Sequence, residues 1–272
     1  MQTRSLAPRL LPPLLLLGLV ACGPVSREAT GEIADAVNES IAGGTESFDH
    51  ADWGAMLAAG TRGGLVDYAY FKAERAALEA YLGRIAGANL GALAPEQLKA
   101  LLINAYNAYT VLSILDHPDV DSIRDIDGVW DKRTHAVGGF DLTLDNMEHN
   151  LLRPFFKDPR IHVAVNCASQ SCAPLPPWSF EGETLDDQLD DWTTQFFNDP
   201  KYTRQEEETL YVSKLLDWYG GDFVAEGWEP RAESIATFIS DYAEDDLADF
   251  LDANPQPKIV FLDYDWGLNQ AP

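Results

Sequence analysis

Apolar side chains recur every three or four residues in several long stretches of the chain, which is the period of a helix that packs one face against a core. This pattern runs through residues 67–86, 94–117 and 183–198. Pro95 stands near the start of the second stretch, where its fixed φ and its missing N–H fit a first helical turn. The pattern therefore predicts three amphipathic helices.

Shorter stretches with other patterns lie between and after these helices. Gly138 and Gly139 predict the turn of a β-hairpin, and a helix is expected from about Thr143 to Phe156. The remaining predictions are a strand over 160–166, a strand and then a helix over 209–220, a helix over 232–243 and a final strand over 258–269. Because helices outnumber strands and mostly separate them, we expect an α+β fold, a single mainly helical domain with a small, largely antiparallel β-sheet.

The first 21 residues have a composition of their own. They carry Arg4, Arg9 and no acidic residue, and their apolar run over 10–20 is shorter than the roughly 20 residues that cross a bilayer. This arrangement is typical of a signal peptide. It ends in Leu-Val-Ala-Cys, which resembles the bacterial lipobox, so we expect residues 1–21 to be a lipoprotein signal peptide and Cys22 to be lipidated. An ordinary signal peptide followed by a chance cysteine is the alternative.

Composition also divides the rest of the chain. Residues 22–47 are rich in Gly, Ala, Ser and Glu without a sustained apolar stripe, so they are predicted to form a flexible tether after Cys22. Residues 48–272 are long enough for one globular domain. The formal net charge of −25 makes nucleic acid and anionic lipid head groups poor partners, so the expected contact with a membrane is the N-terminal lipid. The charge does not identify a small-molecule, peptide or protein partner.

Two polar side chains stand on the helix predicted over 143–156. At about 100° per residue, Glu148 falls inside its apolar stripe and His149 points roughly 140° away from Leu144. The stripe itself consists of Leu144, Met147, Leu151 and Phe155. A carboxylate on an apolar face must find cations and hydrogen bonds or stay protonated. Glu148 is therefore either a functional group or the partner of an arginine such as Arg153 or Arg160.

Asn104 and His162 are two further candidate buried polar groups. Asn104 borders the apolar stripe of the helix over 94–117, where a structural hydrogen bond is the alternative to a catalytic role. In the strand predicted over 160–166, His162 faces one side while Cys167 continues the other. That alternation predicts that a base for Cys167 comes from another element, such as His149, and a satisfied interior histidine is the alternative for His162.

Cys167 and Cys172 are separated by four residues and allow three kinds of chemistry. A disulfide is natural in an exported chain that has two cysteines left after lipidation. A polar loop at the end of a strand could also lower the pKa of Cys167 and expose it as a nucleophile. Zinc needs more ligands than this pair and His162 supply, so no metal and no cofactor are expected.

Several segments in order resemble the DUF547 family, which has no established reaction and occurs in bacterial exported proteins and in plant proteins. They include "LLINAYNAYTVLSIL", "LTLDNMEHNLLR", "DPRIHVAVNCASQSCAPL", "YVSKLLDWYGGDF" and "LDYDWGLN", and the resemblance extends from about Leu65 to Asn269. It implies that the motif residues of this chain are Asn104, Tyr106, Asn107, Glu148, His149, His162 and Cys167. The plant members have the first cysteine without the second, which favours Cys167 as a site residue.

Two functions from different classes follow from these residues. One is a lipid-anchored protein of the bacterial cell envelope, expected in the periplasm, that acts as a cysteine-dependent hydrolase or acyl or amide transferase. In it Cys167 attacks, His162 or His149 is the base, Asn104 or Glu148 orients that base, and Cys172 is a resolving or stapling partner. The other is a non-catalytic envelope binding or scaffold domain with a Cys167–Cys172 disulfide. Both predict that Glu148, His162 and Asn104 converge on one partly buried polar cluster.

Overall fold

The computed structural model describes residues 31–272, so the predicted signal peptide and the predicted lipidation of Cys22 lie outside the described residues. Helices dominate this part of the chain. The α-helices are α1 (Gly31–Gly43), α2 (Ala51–Gly60), α3 (Tyr68–Ala73), α4 (Arg75–Ala86), α5 (Pro95–Asp116), α6 (Ile161–Ala164), α7 (Leu185–Asn198), α8 (Leu215–Tyr219), α9 (Ile235–Ser240) and α10 (Asp245–Ala253). Short 3-10 turns cover Leu90–Ala92, Ile123–Asp125 and Gly182–Thr184, and Asn146–Phe156 is a π-helix.

The strands are short and form three separate small sheets in the described part of the chain. They are β1 (Thr61–Arg62), β2 (Leu65–Val66), β3 (His135–Val137), β4 (Phe140–Leu142), β5 (Thr203–Glu206), β6 (Thr209–Val212) and β7 (Lys258–Phe261). β1 pairs with β2, β3 with β4 and β5 with β6, all antiparallel, and β7 adds to β6 in parallel. The predicted α+β class with largely antiparallel pairing is confirmed, although the strands do not form one sheet.

Helix α5 is the centre of the hydrophobic core. It begins at Pro95, as the sequence predicts, and nearly every side chain from Leu98 to Val111 is buried. Its length and its mean hydropathy of 1.3 would suit a membrane span, but 83% of that stretch is buried inside the protein. A helix that is apolar on all sides and covered by other helices is the core of a large domain. Its position lets polar residues of α5 reach the loops packed around it.

Helix α1 corrects the prediction of a flexible tether, which is wrong for residues 31–47. Ile33 and Val37 are spaced by one helical turn and are fully buried, and the Ser40 hydroxyl donates to the carbonyl of Leu93 at 2.7 Å. The chain then continues through a bridge between Glu46 and Leu93. Two buried apolar residues are too few to stand out as a stripe, but the domain covers them.

The hairpin at Gly138 and Gly139 is confirmed. Both glycines have positive φ, 59° and 83°, which a two-residue turn of this type requires at both central positions. The helix predicted from Thr143 to Phe156 is also present, but as a π-helix. The wider turn of a π-helix changes the direction in which each side chain points around the axis, because the step of about 100° per residue applies only to an α-helix. His149, predicted to point away from the stripe, is therefore buried together with Glu148.

Residues 160–166 do not form the predicted strand. Ile161–Ala164 is one turn of helix, and the chain becomes extended only at Val165. All seven residues are buried, so the segment has no polar face that could distinguish a strand from a helix. The predicted alternation of His162 and Cys167 therefore fails. The predicted final strand is shorter too, since β7 ends at Phe261 and the 262–271 segment runs irregularly across the loop that holds the cysteines.

Candidate functional site

The cysteine loop, residues 166–173, is held by side-chain amides. The Nδ2 group of Asn107 on α5 donates to the carbonyl of Ala164 at 2.9 Å, and its Oδ1 accepts the N–H of Asn166 at 2.7 Å. Asn166 in turn donates to the carbonyl of Ala173 at 2.7 Å and accepts the N–H of Ala168 at 3.0 Å. One buried asparagine thus ties the two ends of the loop together, because its carbonyl and amide groups reach backbone on both sides.

A second amide extends this network. Asn269 donates to Asn166 Oδ1 at 3.1 Å and accepts from the Tyr68 hydroxyl at 2.7 Å. Inside the loop, Ala168 has a φ of 59°, a left-handed conformation that costs a residue with a Cβ about 1 kcal/mol or more. Strained backbone of this kind persists only where its surroundings impose it. The amide network therefore fixes the position of Cys167, the residue just before Ala168.

The 262–271 segment covers the outer side of the loop. The N–H of Gln170 donates to the carbonyl of Gly267 at 2.8 Å, and the N–H of Asn269 donates to the carbonyl of Ala168 at 3.1 Å. The Ser171 hydroxyl accepts the N–H of Asp265 at 2.9 Å. The cysteine loop and the 262–271 segment, almost a hundred positions apart along the chain, are thus joined by hydrogen bonds into one structural unit.

Cys167 and Cys172 are free thiols that lie side by side in this unit. The N–H of Cys167 donates to Cys172 Sγ at 2.9 Å, while Cys167 Sγ lies 3.1 Å from the Tyr264 hydroxyl and 3.3 Å from the Ser169 hydroxyl. The two hydroxyls are 2.7 Å apart. Cys167 is half-buried and Cys172 is buried, so the cysteine whose sulfur contacts two hydroxyls is also the more accessible residue.

These contacts separate the acidities of the two thiols. Hydrogen bonding by Cys172 is the largest effect on Cys167, and with the hydroxyls of Ser169 and Tyr264 it outweighs burial and lowers the pKa of Cys167 to about 7. Burial is the main effect on Cys172 and raises its pKa well above the usual range. At neutral pH the thiolate form of Cys167 is therefore more populated than that of a free cysteine, while Cys172 stays a thiol.

A second group of polar side chains, the histidine–carboxylate cluster, lies under α8. It consists of Glu148, His149 and Arg153 on the π-helix, His162 on α6 and Asp222. Glu148 Oε1 lies 3.7 Å from His162 Nδ1 and 3.8 Å from His149 Nδ1, which are electrostatic contacts longer than hydrogen bonds. Within residues 31–272, no three His, Cys, Asp or Glu side chains are arranged to hold a metal ion.

Asp222 holds the cluster together. It accepts two hydrogen bonds from Arg153, at 2.7 and 2.9 Å, and a third from His162 Nε2 at 2.8 Å. Burial alone would raise the pKa of Asp222, but the hydrogen bonds from His162 and Arg153 outweigh it and lower that pKa. A bidentate salt bridge of this kind between arginine and carboxylate is strong, and it fixes the orientation of the carboxylate as well as neutralising its charge.

The charges also set the protonation of Glu148 and His149. Burial by itself raises the pKa of Glu148, yet His149, His162 and Arg153 together bring it below its ordinary value. The pKa of His149 is lowered, first by burial and then by Arg153, against the opposing charge of Glu148. Glu148 is therefore an ionised carboxylate at neutral pH and His149 a neutral imidazole.

Helix α8 joins the two regions. The Trp218 ring lies 4.7 Å from the Tyr264 ring beside Cys167, and the Tyr219 ring stacks on His162 at 4.2 Å with planes 9° apart. Burial raises the pKa of Tyr219, and the charges of Glu148 and Cys167 raise it further. The pKa of Tyr106, fully enclosed on α5, is raised by burial and by the same two neighbours. Both phenols thus lie within electrostatic range of the cluster and of the thiol.

The structure brings some of the predicted site residues together and separates Asn104 from them. Glu148 and His162 converge as expected, and His149 joins them. Asn104 does not: its Nδ2 donates to the carbonyl of Phe180 at 2.7 Å and its Oδ1 accepts the Phe180 N–H at 3.1 Å. The amide of Asn104 is thereby occupied by backbone, which is the structural alternative. The prediction that Asn104 belongs to the cluster is wrong.

The predicted base for Cys167 is also corrected. The hydrogen-bond partners of Cys167 Sγ are Ser169 and Tyr264, while His162 turns its Nε2 to Asp222 and His149 faces Glu148. The arginine alternatives for Glu148 fail as direct pairs, because Arg153 binds Asp222 and Arg160 binds Asp158, Asp186 and Asp190. Arg153 acts on Glu148 only through its charge.

Two site residues were missed by reasoning from the sequence. Asp222 and Tyr264 lie within short polar-aromatic stretches, "WYGGDF" and "LDYDWGLN", far along the chain from their partners. Both stretches carried the family resemblance, which was the only sequence signal for them. Asn107, named by that resemblance alone, proves to position the cysteine loop.

The fold and site thus define an α+β protein with a paired-thiol loop beside a buried charged cluster. Residues 90–197 match the model of the family described as "Protein of unknown function, DUF547". This match confirms the resemblance to the DUF547 family over residues 90–197, a range that includes Asn104, Glu148, His162 and Cys172. Asp222 and Tyr264 lie beyond it. No curated protein and no solved structure matches the chain.

Proposed function

We propose that this protein is a cysteine-dependent enzyme, a hydrolase or an acyl or amide transferase, whose nucleophile is Cys167. The observation that carries the proposal is the contact of a half-buried sulfur with the hydrogen-bonding groups of Cys172, Ser169 and Tyr264. A thiolate is the reactive form of cysteine, and donors that face the sulfur favour it. A structural cysteine in an apolar core would instead have a raised pKa, as Cys172 does.

The chemistry follows from a thiolate that is already formed. The Cys167 sulfur attacks the carbonyl carbon of an acyl or amide group, an S–C bond forms, and the carbonyl electron pair moves to oxygen. Collapse of this adduct breaks the bond to the leaving group, which takes up a proton from solvent water, and leaves a thioester on Cys167. Water, or a second nucleophile in a transferase, then attacks the thioester and releases the thiol. No histidine has to remove the proton of Cys167.

The histidine–carboxylate cluster supports this site through the aromatic residues of α8. Its salt bridge between Arg153 and Asp222 fixes His162, and His162 stacks on Tyr219 of α8. The adjoining Trp218 packs on Tyr264, which contacts the sulfur. His162, Glu148 and His149 are thus positioning residues in this proposal, because they reach Cys167 only through other side chains.

The proposed location is the bacterial cell envelope, with a lipid on Cys22 as the anchor and the domain in the periplasm. The support is the short apolar run that ends in Leu-Val-Ala-Cys and the acidic composition, which leaves the lipid as the means of membrane contact. Mass spectrometry of the N-terminus of the mature protein should find an acylated Cys22. A mature N-terminus elsewhere, without lipid, would contradict the anchor.

The test of the nucleophile uses the full chain with Cys172→Ser, which keeps a hydrogen-bond donor beside Cys167. Iodoacetamide labelling, mapped by peptide mass spectrometry from pH 5 to 9, should give a midpoint near pH 7 at Cys167. A free cysteine has its midpoint at about 8.5. p-Nitrophenyl acetate should transfer one acetyl group to the same sulfur.

Two further variants complete this test. Cys167→Ser should abolish both the labelling and the acetyl transfer. Cys172→Ala, which removes the donor, should move the midpoint of Cys167 upwards while the fold is kept. If Cys167 labels no faster than a free cysteine in the reduced, folded protein, the nucleophile is refuted.

The second candidate function, a non-catalytic binding or scaffold domain, is favoured by the amide network. Asn104, Asn107 and Asn166 all bind backbone groups, which is the role of residues that specify a fold. In that case the cysteines would close as a disulfide. Mass spectrometry of the protein purified from the envelope under acid quench would then find Cys167 and Cys172 joined in all molecules, without acetyl transfer after reduction.

A further inference from the structure

The hydroxyl of Tyr264 is the nearest hydroxyl to the Cys167 sulfur, at 3.1 Å, although the two residues are 97 positions apart. Tyr264 belongs to the 262–271 segment, outside the region that matches the family model. We propose that Tyr264 is a catalytic residue of this site, whose phenol O–H donates directly to the Cys167 thiolate. The inference rests on the proposed function, since it assigns the group that stabilises the nucleophile.

The direction of the hydrogen bonds follows from the proton count. Tyr264 and Ser169 each have one hydroxyl proton, and their oxygens are 2.7 Å apart. The phenol is the more acidic donor and lies closer to the sulfur than the Ser169 hydroxyl, which is at 3.3 Å. The arrangement that uses both protons best is therefore Ser169 donating to Tyr264, and Tyr264 donating to Cys167. Bonds in such a chain strengthen one another.

The phenol is held in place before any substrate arrives. The Tyr264 ring packs 4.7 Å from Trp218 and 4.5 Å from Trp266, measured between ring centres. The next residue, Asp265, is fixed to the cysteine loop because its N–H donates to the Ser171 hydroxyl at 2.9 Å. A donor that is already oriented stabilises charge without reorganisation, which is the condition for electrostatic catalysis.

The surrounding groups allow the titration of Cys167 to be read without interference. Besides Cys172, the phenols of Tyr68 on α3, Tyr106 on α5, Tyr219 on α8 and Tyr264 are titratable groups that interact with Cys167. Burial raises the pKa of all four phenols, and that of Cys172 is raised as well. None of these five groups therefore produces a midpoint near pH 7 in the labelling of Cys167.

The experiment measures the rate of iodoacetamide labelling at Cys167 from pH 5 to 9.5 in full-length Cys172→Ser protein with and without Tyr264→Phe. The loss of one hydrogen bond to a thiolate should raise the midpoint by about one pH unit. The limiting rate at high pH should rise about threefold, because a more basic thiolate is more nucleophilic. A merely structural role for Tyr264 would not move both quantities in this way.

Two matched variants control the result. Ser169→Ala should raise the midpoint less than Tyr264→Phe does, because Ser169 acts mainly through Tyr264. Tyr211→Phe removes the hydroxyl of a half-buried tyrosine on β6, which packs against Arg204, and should leave the midpoint unchanged. Urea unfolding of each variant checks that the domain remains folded.

The outcomes separate this inference from the proposed function. An ordinary midpoint near 8.5 before any change at Tyr264 refutes both, since there is then no stabilised thiolate. A midpoint near 7 that Tyr264→Phe leaves unchanged, or that Ser169→Ala raises more, overturns the assignment of Tyr264 alone. A folded variant with a raised midpoint and a raised limiting rate supports it.

Discussion

The cysteine loop and the histidine–carboxylate cluster lie on either side of α8 but are built from different groups. The loop is held by neutral donors and acceptors, the amides of Asn107, Asn166 and Asn269 and two hydroxyls. The cluster is held by full charges, chiefly the two-pronged salt bridge between Arg153 and Asp222. In the loop one group, Cys167, has a pKa near neutral pH, whereas the carboxylates of the cluster stay ionised there.

The difference shows how this protein could activate a thiol without a histidine beside it. A positive charge next to Cys167 would lower its pKa further but would have to be buried with it, at a cost of several kcal/mol that only a good partner offsets. Neutral donors cost less to bury and still favour thiolate. The full charges lie in the histidine–carboxylate cluster, which does not contact Cys167 directly, and there Asp222, Arg153 and Glu148 compensate one another.

The largest effect on stability is expected from removing a charge of the histidine–carboxylate cluster. Asp222→Ala leaves the Arg153 guanidinium and His162 Nε2 without their acceptor, so the free energy of unfolding should fall by about 3 kcal/mol. Urea unfolding measures it. Asp116→Ala, which removes the exposed partner of Arg75, is the matched control and should cost less than about 1 kcal/mol. Equal losses would show that the cluster is not a compensated buried unit.

The next largest effect is expected from removing a neutral amide that holds the cysteine loop. Asn166→Ala leaves the Ala173 carbonyl and the Ala168 N–H unpaired inside the protein, which should lower the free energy of unfolding by about 2 kcal/mol. The loosened loop should also expose Cys172 to iodoacetamide. The control Asn254→Ala removes a single bond to the local Phe250 carbonyl and should cost under about 1 kcal/mol. A loop that still protects Cys172 would contradict the role given to Asn166.

Acid pH should act on the cluster before the carboxylates titrate. His149 has a folded pKa below its unfolded value of 6.5, so as pH falls below 6.5 the unfolded chain takes up a proton that the folded protein does not. The stability from this group is present above 6.5 and is lost as pH falls towards the folded pKa. His149→Gln should flatten the curve of unfolding free energy between pH 6.5 and 5 by up to ~1.4 kcal/mol per pH unit. Parallel curves would refute this assignment.

The smallest effect tests the strained backbone of the loop. Ala168→Gly removes a buried methyl group but also relieves a φ of 59°, so the two contributions should cancel to within about 0.5 kcal/mol. The equally buried Ala164, in the helical turn α6, has no strain to relieve. Ala164→Gly should therefore cost about 2 kcal/mol in urea unfolding. Similar losses at both positions would show that Ala168 is not strained.

Long, periodic stretches could be predicted because their signal is repeated over several turns. Helix α5 begins at the predicted Pro95, α7 (Leu185–Asn198) covers all but the first two residues of the predicted range 183–198, and the hairpin turns at Gly138 and Gly139. Each depends on local chemistry alone: the period of apolar residues, a proline in a first turn, or glycines that accept positive φ. The polar positions at Glu148 and His162 were found in the same way, as interruptions of apolar patterns.

Tertiary structure alone decided the rest. Residues 161–164 became helical because a short, fully buried segment has no polar face that selects strand over helix. Asn104 and Asn107 are three residues apart on α5, yet one binds Phe180 and the other the cysteine loop, according to which backbone packs against each. The Tyr264 hydroxyl that contacts Cys167 and the Asp222 carboxylate that accepts from His162 are brought in from distant positions of the chain. Such contacts depend on how separate elements close on one another, and no local pattern encodes that distance.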